Sequence, residues 1–449
     1  MNPGIFREYD IRGIAGEDLT EDDVINIGKA AGTYLIRHGC RRIMVGRDCR
    51  LTSNSYTEKL KQGLMSTGCD VVDIGICPTP VLYFSIRHFK AEGGIMVTAS
   101  HNPPEYNGFK MCRKTDSVHG EDLKKIRDLI LAGDYEKGSG KAENADAVTP
   151  YKSYLLGNIK LNRKLKIGLD AGNGTGGVVG VPVLRELGCE VHDIYCDMDG
   201  TFPNHEADPT VLKNLKDLIE LVKKEKLDAG IGFDGDSDRI GVISEKGDII
   251  YGDQLLVIFS REILSRRPGA TFISEVKCSQ VMYDDIEKNG GNAIMWKTGH
   301  SLIKEKMKTE KAALAGEMSG HMFFEDRYFG YDDAIYAACR LLEIMSNTDR
   351  KLSDLISDLP KTFNTPEIRV DCPDDKKFQT VEKAKEYFRS KHKIIDIDGA
   401  RVLFDDGWGL VRASNTQPAL VLRFEALSEP RLDEIRNYME GIVKELSSN

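Results

Sequence analysis

The feature that most constrains the fold of this chain is a strand–helix–strand unit that occurs more than once. Two copies share the pattern Gly-Cys-acid-Val-x-Asp-Ile, in STGCDVVDIG ending at Gly75 and in RELGCEVHDIY ending at Tyr195. In each copy a short β-rich run leads to an aspartate, Asp48 or Asp170, and a helix-like segment follows that ends at a glycine. Chance likeness between ordinary strand–helix segments is the alternative, but so dense a match favours true repetition.

A weaker third copy begins at TFISEVK, passes through a helical stretch to Gly290 and Gly291, and resumes as NAIMWK. Strands that alternate with helices at this spacing predict parallel α/β units. A chain of 449 residues has room for three or four domains of about 150 residues each. We therefore predict an α/β protein whose first three domains are related, mixed α/β units with parallel sheets, in residues 1–150, 151–252 and 253–367.

The pattern of predicted helices and strands changes after about Pro366. A small α+β fourth domain is predicted in residues 368–449, which closes with an amphipathic helix over 430–446. Before that helix we expect a helix over 377–391 and strands over 394–397, 401–404, 410–413 and 419–426. The polar, glycine-rich segment 133–150 is predicted to be an interdomain connection or a surface excursion.

Composition excludes several classes of protein. The net charge of −9 argues against non-specific binding of nucleic acid. The polar start MNPGIFREYD is not a secretory signal, and no apolar run approaches the roughly 20 residues that span a bilayer. The ten cysteines are scattered without a CxxC pair, which gives no support to a zinc or redox site. We expect a cytoplasmic protein with no nucleic-acid or membrane partner.

Each predicted unit contains a further β-run that ends in an unusual polar loop. The three runs are GGIMVTASHN, AGIGFDGDSD and AALAGEMSGH. Ligands of open α/β sheets bind beyond the carboxyl ends of the strands. Three homologous units therefore offer three loops that can face a single cleft.

The acidic loop of the second unit carries the strongest chemical signal. Asp234, Asp236 and Asp238 alternate directly after an apolar run, and concentrated oxygen ligands suit a hard cation. A solvated acidic turn is the plain alternative. An EF-hand needs glycine where Arg239 stands, and a haloacid-dehalogenase-type phosphatase normally has Thr or Val in place of Asp238. A divalent-cation site, with Mg²⁺ as the expected ion, fits better than either.

The loop of the first unit presents a hydroxyl, Ser100, after a β-run and before the Pro103-Pro104 turn. His101 is adjacent, but neighbours in sequence seldom present their side chains to each other, so no catalytic triad is predicted. Taken alone, the loop is a structural turn. Combined with a metal loop and anion-binding loops, it predicts a phosphoryl carrier, because a serine needs a base or a metal to act as a nucleophile. Lys110, one loop downstream, could steady phosphate charge or move a proton.

Two further loops suit a sugar phosphate. Glu317 and Ser319 stand between glycines and can bind sugar hydroxyls, whereas His321 by itself would be structural. Near the C-terminus, small hydroxyl and amide residues combine with two arginines to predict an anion nest rather than a plain hairpin turn. The residues of this nest are Arg412, Ser414, Asn415, Thr416 and Arg423.

Taken together and in this order, the loops closely resemble those of the α-D-phosphohexomutase superfamily, of the phosphomannomutase/phosphoglucomutase type. The resemblance covers essentially the whole chain. TASHNPPEYNGFK resembles the phosphoserine loop, DGDSDR the metal loop, GEMSGH the sugar-recognition loop and RASNTQP the phosphate-binding loop. One departure is Gln417, where the family usually has glutamate; glutamine keeps an acceptor oxygen, and we expect phosphate binding to survive.

The resemblance implies four domains around a central cleft and a phosphorylated Ser100. It implies one Mg²⁺ per chain, held by Ser100 and the three aspartates. Lys110 and His300 are the candidates for proton transfer, and Arg239 joins them among the catalytic residues. Arg12 and Lys277 would line the cleft with the sugar and phosphate loops, and His321 would bind substrate.

The implied activity interconverts hexose 1-phosphate and hexose 6-phosphate, of mannose, glucose or both. It proceeds through a hexose 1,6-bisphosphate, which also serves as activator. A phosphoglucosamine mutase is an alternative, although such enzymes usually have Gln where Met318 stands. A metal-dependent sugar-phosphate phosphatase and a non-catalytic sugar-phosphate-binding protein are others. The expected partner is a small phosphosugar, and the expected state is a monomer or a weak homodimer.

Overall fold

Four β-sheets, formed one after another along the chain, organise the protein. The computed structural model describes residues 2–415 and 417–448. Within those residues, no helix is both long enough and apolar enough to cross a membrane.

The first sheet has seven strands. Its helix α1 begins with a capping box, in which Thr20 accepts a hydrogen bond from the Asp23 N–H and Asp23 bonds back to Thr20. The elements of this part of the chain are β1 (Ile11–Ile14), α1 (Glu21–Arg37), β2 (Arg42–Arg47), α2 (Ser53–Ser66), β3 (Asp70–Ile76), α3 (Thr79–His88), β4 (Gly93–Val97), β5 (Tyr106–Arg113), β6 (Asp116–Ser117), α4 (Glu121–Ala132) and β7 (Ala142–Asn144). The strands lie in the order β1-β5-β4-β2-β3-β7, with β6 paired to β5.

The second sheet has five strands in the order β12-β11-β10-β8-β9. All five residues of its strand β10 are buried, as expected for a strand covered on both faces. The elements are α5 (Val148–Asn158), β8 (Lys166–Asp170), α6 (Gly177–Glu186), β9 (Glu190–Ile194), α7 (Lys216–Glu225), β10 (Ala229–Phe233), β11 (Ile240–Ser244) and β12 (Ile249–Ile250).

The third sheet has four strands in the order β14-β13-β15-β16. Its elements are α8 (Gly252–Arg266), β13 (Thr271–Glu275), α9 (Gln280–Lys288), β14 (Asn292–Trp296), α10 (His300–Glu310), β15 (Leu314–Gly316), β16 (Met322–Phe324) and α11 (Ala334–Ser346).

The predicted repetition is confirmed by the topology of these three sheets. The repeated unit begins at β2, β8 and β13. Counted from these strands, the first strand of each unit lies between the second and the third and runs parallel to both, while the fourth strand pairs antiparallel with the third. The polar loops predicted to carry the chemistry all join the third strand to the fourth. They occupy residues 98–105, 234–239 and 317–321.

The fourth sheet is antiparallel throughout, which confirms the predicted α+β domain. The predicted strand 419–426 is correct at both ends, and the last helix is one residue longer at its start and two longer at its end than predicted. The elements are β17 (Phe363–Asn364), β18 (Ile368–Asp371), α12 (Lys377–Arg389), β19 (Lys393–Ile395), β20 (Ala400–Phe404), β21 (Gly407–Ala413), β22 (Ala419–Ala426) and α13 (Glu429–Ser448).

The segment 133–150, predicted to be a connection or a surface excursion, contains a strand of the first sheet. Its residues 142–144 form β7, which pairs parallel with β3, and the N–H of Val71 donates to the Lys141 carbonyl at 2.7 Å. The sequence did not indicate this strand because its three side chains are exposed and form no apolar pattern. The division of the chain at residues 150, 252 and 367 stays a prediction.

The cores show how the fourth domain is attached. One large core continues through the first three domains, from Met44 to Leu352, whereas the fourth domain has a separate core. A small cluster of Val276, Trp408 and Leu410 joins the third domain to the fourth. Beside it the buried Arg401 donates to two carbonyls of the third domain, at 2.7 and 2.8 Å. The fourth domain is therefore attached to the third through this apolar cluster and through polar contacts, among them the Ser279 hydroxyl, which donates to Glu425 at 3.0 Å.

Candidate active site

The loops of the first and second units meet directly. The Ser100 hydroxyl donates to Asp234 Oδ2 at 2.7 Å, and both residues are buried. Ser100 has the left-handed φ of 53°, which turns its side chain toward the second domain. A Cβ on Gly235 would lie 2.4 Å from the Ser100 carbonyl oxygen, so glycine is required for this approach. The predicted meeting of hydroxyl and acidic loop is confirmed.

The three aspartates converge as the alternating pattern predicted. Carboxylate oxygens of Asp234, Asp236 and Asp238 lie within 4.8 Å of one another, and all three side chains are buried. Burial, and then the charges of Asp238 and Asp236, raise the pKa of Asp234 well above its usual value. Asp236 Oδ1 finds no hydrogen-bond donor within residues 2–415 and 417–448. Buried, under-compensated oxygens of this kind fit a divalent cation.

Lys110 supplies positive charge to this cluster. Its Nζ donates to Asp236 Oδ2 at 2.6 Å and also contacts Asp238, while the Thr79 hydroxyl donates to the same Asp236 oxygen at 2.6 Å. Burial works against the charge on Lys110, but Asp236 and Asp238 outweigh it and raise the pKa of Lys110. In this arrangement Lys110 holds its proton strongly.

The expectation that His101 would face away from Ser100 is wrong. The His101 Nδ1 lies 3.2 Å from the Ser100 hydroxyl, because the left-handed conformation of Ser100 brings the two neighbouring side chains to the same side. Burial, followed by the charges of Arg239 and Arg12, holds the pKa of His101 well below its usual range. A neutral ring therefore lies against the hydroxyl.

Arg12 reaches the same loop from the N-terminal segment. Its guanidinium donates to Asp10 at 2.9 Å, to the Asn102 side chain at 2.6 Å and to the Ala99 carbonyl at 3.3 Å. It therefore lies against the loop that carries Ser100, with contacts on both sides of that residue.

The loop of the third unit contacts the metal loop through His321. Its Nε2 lies 3.2 Å from Asp238 and 3.3 Å from Arg239 Nε, and its Nδ1 lies 2.9 Å from Glu317 and 3.0 Å from Ser319. The interpretation of His321 as merely structural therefore misses its place between the metal loop and the sugar loop.

His300 lies on the far side of His321, with their rings stacked at 5.5 Å. His300 Nδ1 is 3.4 Å from Asp332, which also accepts from Lys304 at 3.0 Å. Burial, and then Lys304, lower the pKa of His300. Asp332 was not predicted; its signal is the acidic pair in YDD shortly after the sugar loop.

The phosphate loop joins β21 to β22, and its two arginines lie on one face of the fourth sheet. The register pairs Arg412 with Val421 and Leu410 with Arg423, so their side chains project to the same side. Arg412 donates to Asp398 at 2.9 Å. The Arg412 NH2 and Arg423 Nε atoms are buried without a hydrogen-bond acceptor in the described part of the chain, which suits an anion.

The other described residues of this loop make hydrogen bonds within the fourth domain or to another domain. The Gln417 N–H donates to the Ser414 hydroxyl at 3.1 Å, and the Gln417 side-chain oxygen accepts from Arg369. Gln417 thus supplies the acceptor that the sequence predicted. Thr416 lies outside the described residues.

Tyr9, which the sequence analysis did not single out, joins three domains. Asn415 of the fourth domain donates to the Tyr9 hydroxyl at 2.6 Å, and that hydroxyl donates to the Thr298 carbonyl of the third domain at 2.8 Å. Lys277 also faces the fourth sheet, with its Nζ 3.1 Å from Glu367, which directly precedes β18. The only hint of Tyr9 was its place in the FREYDIRG segment with Arg12.

Comparison with protein-family models gives four matches that follow one another along the chain. Residues 3–137, 148–247 and 251–363 match domains I, II and III, described as phosphoglucomutase/phosphomannomutase alpha/beta/alpha domains, and residues 367–441 match the C-terminal domain. The chain belongs to the phosphoglucomutase/phosphomannomutase family.

Relatives of this phosphoglucomutase/phosphomannomutase family member match it over nearly its full length. A phosphomannomutase/phosphoglucomutase of Pseudomonas aeruginosa is 44% identical over 99% of this chain and 96% of its own. A phosphoglucomutase of Neisseria meningitidis is 43% identical over 98% of this chain and 96% of its own. The crystal structure of a family protein from Burkholderia thailandensis has a TM-score of 0.94 and 40% identity, covering 99% and 98% of the two chains.

Membership in the phosphoglucomutase/phosphomannomutase family confirms the predicted family, fold class and enzyme class. The chain is a phosphohexomutase, which is favoured over a phosphoglucosamine mutase, a phosphatase or a non-catalytic binding protein. The roles of the individual residues stay predictions.

Proposed function

We propose that this chain moves a phosphoryl group between C1 and C6 of glucose and mannose phosphates, with phosphorylated Ser100 as the carrier. The names of the relatives support the choice of these sugars. The observation that most directly supports the carrier role is the 2.7 Å hydrogen bond from Ser100 to Asp234. It joins the hydroxyl of one domain to the carboxylate cluster of the next.

The family depends on a metal, and the buried aspartates offer it a place. Asp234, Asp236, Asp238 and the Ser100 oxygen would hold one Mg²⁺ per chain. When bound, that ion neutralises negative charge that develops on the phosphoryl group. Lys110 adds a fixed positive charge beside the same oxygens, and Arg12 adds another beside Ser100.

Proton transfer belongs to groups near the reacting hydroxyl. Lys110 and His300 remain our candidates, and Arg239 assists by charge. Contacts of 3.2 Å with Asp238 and 2.9 Å with Glu317 add His321 to them, because it lies between the metal loop and the sugar loop. A neutral group in hydrogen-bond reach of a sugar hydroxyl can accept its proton as phosphoryl transfer proceeds, and His300, whose pKa is lowered, fits that role. Lys110 and His321 would instead donate a proton, because neighbouring carboxylates raise the pKa of both side chains.

The second phosphate of the substrate binds at the far side of the cleft. Arg412 and Arg423 each have a buried nitrogen with no acceptor among residues 2–415 and 417–448, which can bind this phosphate, and Ser414, Asn415 and Thr416 would complete the site. Transfer from Ser100 produces a hexose 1,6-bisphosphate, which must turn round before the second transfer. Arginines that recognise phosphate alone accept either end, while Glu317 and Ser319 bind hydroxyls common to both orientations. The same bisphosphate, supplied from solution, is the proposed activator.

Arg423→Ala is expected to raise KM for glucose 1-phosphate about tenfold or more, because a buried charge-assisted contact to phosphate is lost. The change in kcat should be smaller. Steady-state kinetics measure both. Arg431→Ala is the matched control, since that arginine is partly exposed and pairs with Asp406 on the outside of the fourth domain. An unchanged KM in Arg423→Ala would tell against the distal phosphate site.

Closure of the fourth domain would exclude water that could hydrolyse the phosphoserine. Tyr9 joins Asn415 of the fourth domain to Thr298 of the third, so Tyr9→Phe removes both hydrogen bonds without removing the ring. We expect a several-fold rise in KM and faster release of inorganic phosphate from the phosphoenzyme. Tyr387→Phe, in α12, is a control. Wild-type KM and phosphate release in Tyr9→Phe would contradict this role.

A coupled assay that follows both isomerised sugar phosphate and free inorganic phosphate tests the activity as a whole. A mutase yields the isomer with only traces of phosphate, whereas a phosphatase yields stoichiometric phosphate. We also propose a cytoplasmic location and a monomer or weak homodimer, which light scattering at several concentrations would test.

A further inference from the structure

We propose that three buried acids, Asp48, Asp170 and Glu275, are positioning residues, one for each repeated domain. Each would fix the loop that carries the chemistry of its own domain. The inference rests on the proposed function, since it assigns phosphoserine, metal and sugar roles to those loops.

The three acids occupy the same place in the repeated fold. Each stands at the carboxyl end of the first strand, the one that lies between two parallel neighbours: Asp48 directly follows β2, Asp170 ends β8 and Glu275 ends β13. Their exposed fractions are 2%, 2% and 0%. Each accepts a hydrogen bond from the backbone N–H two residues further on. The donors are Arg50 at 3.0 Å, Gly172 at 2.8 Å and Lys277 at 3.1 Å.

In the first domain the acid acts through Arg50. Asp48 Oδ2 accepts from Arg50 Nε at 3.1 Å, and the Arg50 side chain is fully buried. Its remaining N–H groups donate to four backbone carbonyls of the phosphoserine loop. These belong to Ser100 (2.9 Å), Asn102 (2.6 Å), Pro103 (2.6 Å) and Tyr106 (3.0 Å). Ser100 has a strained left-handed φ, which persists only where surrounding contacts fix it.

In the second domain the acid acts through His205. Asp170 Oδ2 lies 3.0 Å from His205 Nε2, and the other ring nitrogen lies 2.8 Å from the Glu206 carbonyl. The next residue, Ala207, accepts from the N–H of Gly235 at 3.2 Å. Gly235 separates two of the proposed metal ligands, so this chain of contacts ends in the metal loop.

In the third domain the acid reaches its loop directly. Glu275 Oε1 accepts from the N–H of Met318 at 3.2 Å, and Met318 follows the sugar-binding Glu317. Glu275 Oε2 accepts from the Thr298 hydroxyl at 2.8 Å, next to Gly299, whose N–H donates to Glu317 at 2.7 Å. One carboxylate therefore supports Glu317 from both sides.

Replacing each acid by the neutral amide of the same shape should impair a different kinetic constant. Asp48→Asn should lower kcat about tenfold or more, because a misplaced carrier loses rate. Asp170→Asn should raise the Mg²⁺ concentration for half-maximal activity about tenfold, because Asp170 helps to position the loop that carries the proposed metal ligands. Glu275→Gln should raise KM for the sugar phosphate about tenfold by loosening Glu317. A purely structural role would lower Tm without separating these three constants.

Asp73 provides a matched control inside the same fold. It is also buried, accepts from the Gly75 N–H at 2.9 Å and pairs with Arg47 at 3.0 Å and Lys61 at 2.9 Å. It lies on β3, however, and none of its hydrogen bonds reaches the three loops. Asp73→Asn should lower Tm while kcat, KM and the Mg²⁺ requirement stay within about twofold of wild type.

The test measures all three constants and Tm for each full-length variant. The pattern described above supports the proposal. Equal changes in all constants, or unchanged constants in folded variants, would overturn it while leaving the mutase activity of the wild type intact. If wild type itself lacks mutase activity, the proposed function fails instead. Should a neutral variant not fold, Arg50→Lys, His205→Gln or Thr298→Val tests the same contact from the partner side, by the same criteria.

Discussion

Ser100→Ala is expected to lower kcat by about a thousandfold or more, because the variant has no hydroxyl to carry the phosphoryl group. The effect should persist when hexose 1,6-bisphosphate is supplied, since the missing group is on the protein and not in solution. Intact-mass measurement should show one phosphoryl group on wild type treated with bisphosphate and none on the variant.

Ser260→Ala is the matched control for that experiment. Ser260 is likewise buried, and among the residues that the structure describes its hydroxyl donates only to the Val257 carbonyl within α8, at 3.1 Å. We expect its kcat and its phosphorylation to match wild type. Normal turnover by Ser100→Ala in the presence of bisphosphate would reject the carrier role, whatever the control shows.

Asp236→Asn is expected to raise the Mg²⁺ concentration for half-maximal activity by about a hundredfold and to lower kcat at saturating metal. Asp236 contributes one oxygen that is bonded to Lys110 and Thr79 and a second that has no donor in the described residues. An amide keeps the shape but removes the charge that attracts a cation. It also leaves Lys110 less well compensated.

Activity measured against Mg²⁺ concentration, together with calorimetric titration of the metal, tests this expectation. Asp248→Asn is a suitable control, because Asp248 lies exposed in the same domain between β11 and β12. An Asp236→Asn enzyme with the metal requirement of wild type would show that the ion binds elsewhere.

Much of the architecture could be predicted because short sequence patterns indicate where helices and strands begin and end. The repeated Gly-Cys-acid-Val-x-Asp-Ile pattern marks the turn from a helix into the second strand, and both copies do so in the structure, before β3 and before β9. The predicted strand 419–426 is fully buried and apolar on its core face, which gives a strong signal. By contrast, β17 has two residues and β7 has three, too few for a period to emerge.

The residues of the candidate site likewise fall into those that could be predicted from the sequence and those that could not. Asp234, Asp236 and Asp238 could be predicted because their spacing already carries the chemistry. Residues that act through distant partners could not, because their importance depends on tertiary contacts. Tyr9 accepts a hydrogen bond from Asn415, which lies 406 residues further along the chain, and the sequence around either residue does not indicate the other. The orientation of His101 depends on one unusual backbone angle at Ser100, which sequence alone does not give.

The position of each polar loop between the third and fourth strands of a separate sheet has an evolutionary consequence. Under the proposed function, sugar preference and phosphate chemistry are encoded in different segments, each attached to its own sheet. Substitutions around Met318 would then change which hexose is accepted while the proposed carrier Ser100 and the three aspartates stay unaltered. A duplicated scaffold of this sort lets selection adjust one task at a time, and offers the protein engineer the same freedom.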